Sequence, residues 1–291
     1  MGALDGRVAI ITGAGRGIGR EHALLFAAEG ARVVVNDVGG AADGSGSDLT
    51  PAQQVVAEIE AMGGAAIANA DSVADWEGGQ RLVNSAIEAF GDLDILVNNA
   101  GILRDRVLVN MTEEEWDAVV AVHMKGHFVP SRWAAAYWRE QFKAGVNKPR
   151  NLVHTSSTSG LFANPGQTNY GAAKSGIATF SQICAKELVR YGVKSNCIAP
   201  AARTRLTLAT PGLGDMIREP DNPGAFDVWD PANISPLVAY LASADCVFNG
   251  ETFFVQGGSV KRFRSWEMAE GVERDDRWTV AELTAALAKL S

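Results

Sequence analysis

Two kinds of pattern alternate along the chain. Short apolar, β-branched runs recur at Arg7–Thr12 (RVAIIT), Ala31–Asn36 (ARVVVN), Ala65–Asn69, Leu93–Asn98 (LDILVN), Asn151–Thr155 (NLVHT), Val193–Ala199 (VKSNCIA) and Glu251–Gln256. Runs this short, without polar alternation, suit strands buried on both faces of a parallel sheet. Longer stretches between them predict helices over residues 17–29, 51–62, 75–90, 112–142, 168–191 and 234–242. Pro51 opens the second helix and Gly63-Gly64 stops it. Thr112 and Glu115 have the spacing of a capping box. This alternation implies a parallel sheet with right-handed crossovers. No linker or internal repeat interrupts it, so one domain is expected over residues 1–260, with 261–291 as a charged C-terminal extension ending in a short helix. The Gly- and Pro-containing stretch 201–230 has little periodicity and follows a strand end, which predicts a lid over a site.

Composition narrows this picture. The chain has 291 residues, 47% hydrophobic and 21% charged, in the range of one large α/β domain. Its net charge of -8 argues against a nucleic-acid partner. Cys184, Cys197 and Cys246 have no metal-site spacing and read as buried small residues in a reducing compartment, so no metal site is expected. The N-terminal residues do not resemble a signal peptide, no apolar run reaches membrane-spanning length, and Lys289-Leu290-Ser291 is not a peroxisomal address. A soluble, cytoplasmic protein without a membrane partner is the expectation.

Candidate chemistry lies where strands end. The first strand runs into Thr12-Gly13-Ala14-Gly15-Arg16-Gly17-Ile18-Gly19. Glycines there let backbone N–H groups approach a pyrophosphate at a helix N-terminus. Gly13, Arg16, Gly17, Ile18 and Gly19 are therefore candidate dinucleotide contacts. Asp37 ends the second strand, 18 residues after Gly19, where a carboxylate can accept from ribose hydroxyls and repel a 2′-phosphate. Arg16 could instead meet such a phosphate. The closer like-charge clash at Asp37 is weighted more, so NAD is expected over NADP. Asp71-Ser72 and Asn98-Asn99-Ala100-Gly101 follow the third and fourth strands. Asp71 could accept from an adenine amine, and the asparagines could bridge strands. Ordinary turn chemistry is the competing account of both segments.

Tyr170 and Lys174 are four apart on a predicted helix and share a face. A free phenol, with a pKa of about 10, is too weakly acidic to serve as a base near neutrality. A neighbouring ammonium favours the phenolate and is expected to pull that value down, making Tyr170 a general acid/base. Ser157, thirteen residues earlier, could hold a substrate oxygen against the phenol.

TGAGRGIG, NNAG, Ser157 and Tyr170-x-x-x-Lys174 occur in an order and spacing that resembles the short-chain dehydrogenase/reductase family, over about residues 5–260. The resemblance implies a single-domain, Rossmann-like, doubly wound α/β fold with a seven-stranded parallel sheet flanked by helices. It also implies a nicotinamide cofactor and a homotetramer. Ser157 would orient the substrate oxygen and Tyr170 would move the proton. Lys174 would hold the ribose while lowering the tyrosine pKa. The cofactor would also meet Pro200. Two departures stand out. His123 occupies the place of an asparagine that often carries a relay water, as either a protonatable relay member or a simple isosteric hydrogen-bonder. The usual Pro-Gly after the sixth strand is Pro200-Ala201.

VVVNDVGG (33–40), NNAGILRDR (98–106) and VHMKGHF (122–128) are similar to the (3R)-hydroxyacyl-CoA dehydrogenase units of multifunctional β-oxidation enzymes and their bacterial acyl-CoA and steroid relatives. This narrower resemblance implies NAD-dependent oxidation of a 3-hydroxyacyl-CoA to a 3-oxoacyl-CoA, with a fatty or steroid side chain, in lipid metabolism. Arg104, Arg106, Arg203 and Arg205 are candidates for the coenzyme A phosphates. A 17β-hydroxysteroid or other small-alcohol dehydrogenase is the alternative. A non-catalytic dinucleotide sensor is the more distant one, since it would not need Ser157, Tyr170 and Lys174.

Overall fold

Apolar runs become strands because their side chains are covered on both faces. β1 (Val8–Thr12), β2 (Arg32–Asn36), β3 (Ala65–Asn69), β4 (Ile95–Asn98), β5 (Arg150–Thr155), β6 (Val193–Pro200) and β7 (Thr252–Gln256) all run parallel. The computed structural model describes residues 2–208, 217–220, 222, 224–264 and 266–290. An eighth strand, β8 (Ser259–Arg262), pairs antiparallel with β7, giving the order β3-β2-β1-β4-β5-β6-β7-β8. The sheet therefore has one strand more than expected. Gly257, at φ +49, turns the chain back on itself in a conformation that favours glycine. The last three residues of β8 are exposed, so no buried apolar run announced it.

Ten helices accompany the sheet among the described residues. They are α1 (Gly17–Ala28), α2 (Thr50–Ala61), α3 (Trp76–Phe90), α4 (Glu113–Val120), α5 (Gly126–Lys143), α6 (Thr158–Leu161), α7 (Thr168–Leu188), α8 (Arg205–Leu208), α9 (Ser235–Ala242) and α10 (Val280–Leu287). On one face, Phe26 of α1, Ile59 of α2 and Val238 of α9 pack with Ile11, Val33 and Val97 of the sheet. On the other, Leu82 of α3, Trp138 of α5 and Cys184 of α7 pack with Ile10, Leu96 and Leu152. Alternate residues of β1, Ile10 and Ile11, thus enter different cores, as the pleat requires.

The single helix expected over 112–142 is broken. α4 starts on the expected capping box, with Thr112 Oγ1 accepting the Glu115 N–H at 3.2 Å and Glu115 Oε2 accepting the Thr112 N–H at 3.1 Å. A π-turn over Ala121–Lys125 then separates it from α5, and His123 in that turn is buried. One wider turn is hard to read in a sequence, because the apolar period continues through it. The expected lid is irregular where described: α8 is one short turn, and Arg203 ties it to Asp227 in an ion pair. Residues 209–216, 221 and 223 of the lid lie outside the described residues. In the extension, α10 begins on a Thr279/Glu282 capping box and buries no residue.

At the end of the sheet away from the glycine turn, a buried ionic cluster ties β4 to β5. Arg150, 2% exposed, meets Asp92 at 2.9 Å, and Lys148 meets both Asp92 and Asp94 at 2.6 Å. Burial alone would raise the Asp92 pKa, but hydrogen bonds from Lys148, Arg150, the Leu93 N–H and Tyr137 hold it down to about 2. Deleting one partner strands the others. Arg150→Met is expected to lower unfolding stability by about 3–5 kcal/mol in urea titration. A loss below ~1 kcal/mol would mean that Lys148 alone satisfies the carboxylates.

Candidate active site

The site opens at the C-terminal ends of β1, β4, β5 and β6, beside the point where strand order reverses. The first component is the glycine turn. A Cβ on Gly13, at φ +64, would lie 2.7 Å from the Ala100 Cα, and one on Gly19 would lie 2.2 Å from the Gly13 carbonyl oxygen. Both positions therefore require glycine, one for its dihedral and contact, the other for contact alone. Arg16 precedes α1 without a side-chain cap, leaving the helix N-terminus open to an anion. These features fit a dinucleotide pyrophosphate, with Gly17 and Ile18 opening the helix beneath it.

Thr12, which the sequence reading passed over, locks this turn to β4. Its hydroxyl accepts the Asn99 and Ala100 N–H groups at 2.9 and 3.0 Å. Asn99 Nδ2 returns bonds to the Thr12 and Gly13 carbonyls at 2.9 and 3.2 Å. Asn99 is thus a bridge between strands, as expected. Asn98 differs: its side chain is fully buried and points to Ser131 (2.9 Å) and His154 (3.3 Å), away from the glycine turn. Adjacent strand residues face opposite sides, so both asparagines cannot serve the same crevice.

The acidic candidates are already engaged. Asp37 accepts the Gly15 N–H at 2.8 Å and the Gly39 N–H at 2.6 Å, binding β2's end to the glycine turn. Asp71 is held by Arg81 at 2.7 Å and by Asn69 at 2.9 Å. Ser72 is exposed and its hydroxyl accepts the Ala74 N–H at 3.3 Å. Carboxylate oxygens keep further lone pairs, so both groups can still accept a hydrogen bond from a ligand.

The second component is the proton-handling set. Ser157 follows β5, and its Oγ accepts the Ser159 N–H at 3.1 Å while hydrogen-bonding Tyr170. Asn169 pins the start of α7: its Nδ2 donates to the Arg104 and Glu115 carbonyls at 3.0 and 3.1 Å, and its Oδ1 accepts the Tyr170 N–H at 2.7 Å. Lys174 is 2% exposed; its Nζ donates to the Thr155 carbonyl at 2.7 Å and lies 5.5 Å from the Tyr170 ring centre. His123 packs edge-on to Tyr170, with centroids 5.2 Å apart. A Cβ on Gly101 would lie 2.5 Å from the His123 ring, so this glycine makes room for the histidine.

Electrostatics here run against the expected direction. Burial pushes the Tyr170 phenol up to about 12, outweighing the Ser157 hydrogen bond that favours the phenolate, and Asp105 adds to the rise. Burial also drives Lys174 down to about 7. Desolvation penalises the charged forms of both groups. His123 is held well below its ordinary range by burial and by Lys174, which keeps it neutral.

A cavity of about 420 Å³ adjoins these groups, lined by Ser157, Tyr170 and Pro200 together with apolar Leu103, Phe162 and Trp229. Of the candidate arginines, Arg106 is paired with Glu115 (3.1 Å) and Arg203 with Asp227. Arg104 and Arg205 form no ion pair among the described residues. Arg104 donates to the Asp43 carbonyl (2.8 Å) and Arg205 to that of Gly40 (3.4 Å). No helix of the described residues is long and apolar enough to cross a membrane, and no cluster among them could hold a metal ion. All three cysteines are free and buried.

Sheet order, glycine turn and open helix terminus make this a Rossmann-like dinucleotide-binding fold. The family model for short chain dehydrogenases matches residues 7–209, and the chain belongs to that family of oxidoreductases, which use nicotinamide dinucleotides. It is 44% identical over 292 residues to the hydroxyacyl-CoA dehydrogenase ChsB1 of Mycobacterium tuberculosis, covering 98% of this chain and 88% of that protein. It is 42% identical over 267 residues to peroxisomal multifunctional enzyme type 2 of Mus musculus, covering 92% of this chain but only 34% of that longer protein. Two solved structures share the fold. A short chain dehydrogenase from Mycobacterium avium has 49% identity and a TM-score of 0.87, with 99% and 95% of the two chains covered. One from Burkholderia cenocepacia, in complex with NADP, has 30% identity and a TM-score of 0.74, with 88% and 98% covered.

The Lys174 shift has a definite sign. Its folded pKa lies below its unfolded one, so its burial cost is fully present below about pH 7 and vanishes above the ordinary lysine value. Wild type should therefore gain stability relative to Lys174→Met as pH rises from 7 toward 10. Calorimetry of both ligand-free proteins across that range checks it; a melting-temperature gap that stays constant or moves the other way contradicts it.

Proposed function

We propose that the protein oxidises a secondary alcohol to a ketone with NAD, and that the alcohol is a 3-hydroxyacyl-CoA with a fatty or steroid side chain. The observation that carries this reading is the cluster of Ser157, Tyr170 and Lys174 beside a cavity that Ser157 and Tyr170 line together with polar Asn164, Gln167 and Thr207 and apolar Leu103, Phe162 and Trp229. The names of the relatives support the acyl-CoA class. Asp37 at the end of β2 supports NAD, since a 2′-phosphate would meet its carboxylate.

When bound, an oxidised nicotinamide supplies a hydride acceptor and a positive charge beside the phenol. With the phenol's own proton released to solvent, the Tyr170 phenolate would take the proton of the substrate hydroxyl as the carbinol carbon gives up its hydride. Ser157, whose oxygen accepts the Ser159 N–H and whose hydroxyl hydrogen-bonds Tyr170, would turn that hydroxyl onto the substrate oxygen. Lys174, fixed by the Thr155 carbonyl, offers its remaining N–H groups to the cofactor ribose. Leu103, Phe162 and Trp229 would offer apolar contact to the acyl chain. Arg104 and Arg205 are the candidate cations left without an ion pair, among the described residues, to meet a CoA phosphate. Such a protein is expected to act as a homotetramer and in the cytoplasm. Lys261 and Arg262 belong to β8 and pair with β7, so a C-terminal extension distinct from the catalytic domain would begin beyond them.

Two experiments test the reading. A panel of (3R)- and (3S)-hydroxyacyl-CoAs, a steroid-side-chain hydroxyacyl-CoA and a free 17β-hydroxysteroid, each with NAD and NADP, is followed by absorbance of reduced nicotinamide. Tyr170→Phe should lower turnover by about 10²–10⁴-fold and leave cofactor affinity nearly unchanged; retained turnover would refute the role of the phenol. Arg104→Glu should raise KM for a CoA ester about tenfold or more and leave a free alcohol's KM in place. An equal effect on both substrates would remove the phosphate assignment.

A further inference from the structure

Three of the chain's four histidines, His123, His127 and His154, are at most 1% exposed; His123 and His127 lie near Lys174, and His154 lies behind His127. His127 has no part in the chemistry described above. β4 ends opposite His154, one residue before β5 does. The Thr155 peptide therefore extends past the last β4–β5 pair, with its N–H and carbonyl in need of other partners. The carbonyl is taken by Lys174 Nζ at 2.7 Å, and the N–H donates to His127 Nε2 at 3.4 Å. With Nε2 accepting, the other ring nitrogen carries the proton, and the ring hydrogen-bonds the His123 carbonyl, four residues back in the π-turn. Below, the His127 ring stacks on His154 at 5.7 Å, and His154 is in turn within hydrogen-bonding distance of Asn98 at 3.3 Å.

We infer that His127 is a positioning residue for the catalytic lysine: as a neutral Nδ1–H imidazole it clamps the Thr155 peptide between the π-turn and β5, and so fixes the carbonyl that anchors Nζ. The contacts close a circuit. Lys174 holds Thr155, Thr155 holds His127, His127 holds the His123 backbone, and the His123 ring packs edge-on to Tyr170. The π-turn is what allows this, because it presents His123 toward Tyr170 and its carbonyl toward His127. Burial keeps His127 uncharged, and the nearby Lys174, His154 and His123 all act in the same direction. The titratable groups facing Lys174 itself are Tyr170 on α7, His123 and His127 on the π-turn and α5, and Cys197 on β6.

The positioning role rests on the proposed dehydrogenase chemistry, but the clamp does not, so the two are tested separately. In protein labelled with ¹⁵N-histidine, long-range ¹H–¹⁵N spectra should show His127 as the neutral Nδ1–H tautomer throughout pH 6–8. An Nε2–H tautomer, or an imidazolium in that range, would overturn the clamp even if no substrate had been found. With a substrate that the wild type oxidises, His127→Leu should lower kcat about ten- to a hundredfold, with a much smaller change in substrate KM, and should shift the midpoint of the kcat–pH profile. His127→Gln, which keeps an acceptor for the Thr155 N–H, should recover most of that loss. Equal kcat for His127→Leu and wild type, or a folded His127→Gln as impaired as His127→Leu, would overturn the role. If the wild type oxidises nothing in the panel, the functional reading fails and the spectra still decide the clamp.

Discussion

A buried ammonium with one main-chain anchor is the constraint around which this site is arranged. Lys174 reaches the Thr155 carbonyl because β5 outruns β4 by a residue, so that Thr155, still paired with β6, has no β4 partner. Everything near it is consistent with a region that excludes water. The phenol of Tyr170 is pushed toward its neutral form, the histidines are neutral, and Cys197 is driven up to about 12. Burial thus favours the uncharged forms of both Tyr170 and Lys174. A cationic group beside the phenol would shift that balance toward the phenolate.

The same edge of the sheet serves the dinucleotide. β1 and β4 diverge there, and Thr12 and Asn99 tie the glycine turn across the gap with four hydrogen bonds. Asp37 adds a third strand by binding the Gly15 N–H. The turn is thus held from both neighbouring strands before any ligand arrives, which lowers the ordering cost of binding. Stability is supplied at the opposite edge, where Arg150, Lys148, Asp92 and Asp94 join β4 to β5. Separating the ionic cluster from the site lets the C-terminal edge keep unpaired groups for function.

Much of this was legible in the chain. Seven buried runs became seven parallel strands, and the Thr112/Glu115 cap was where its spacing placed it. What escaped had weak one-dimensional signals. β8 is mostly exposed and short, so it carries no apolar run. The π-turn adds one residue to a helix without disturbing its composition. Thr12 looked like the last residue of a strand, and its role depends on Asn99 and Ala100, 87 and 88 residues away. Asn98 and Asn99 look equivalent as letters, yet the pleat sends one inward to Ser131 and the other to the glycine turn.

By itself the sequence determined the alternation of strands and helices, the need for glycine at the first turn, and the presence of a Ser, Tyr and Lys at family spacing. Those properties are local: they depend on side-chain volume, backbone freedom and short-range periodicity. Only the tertiary structure decided the protonation states of Tyr170 and Lys174, the pairing of Arg106 and Arg203 with carboxylates, and the place of His127 behind the lysine. Each of these depends on how much water is removed from a group and on which distant residue faces it, and both are set when the sheet and its two helical layers close.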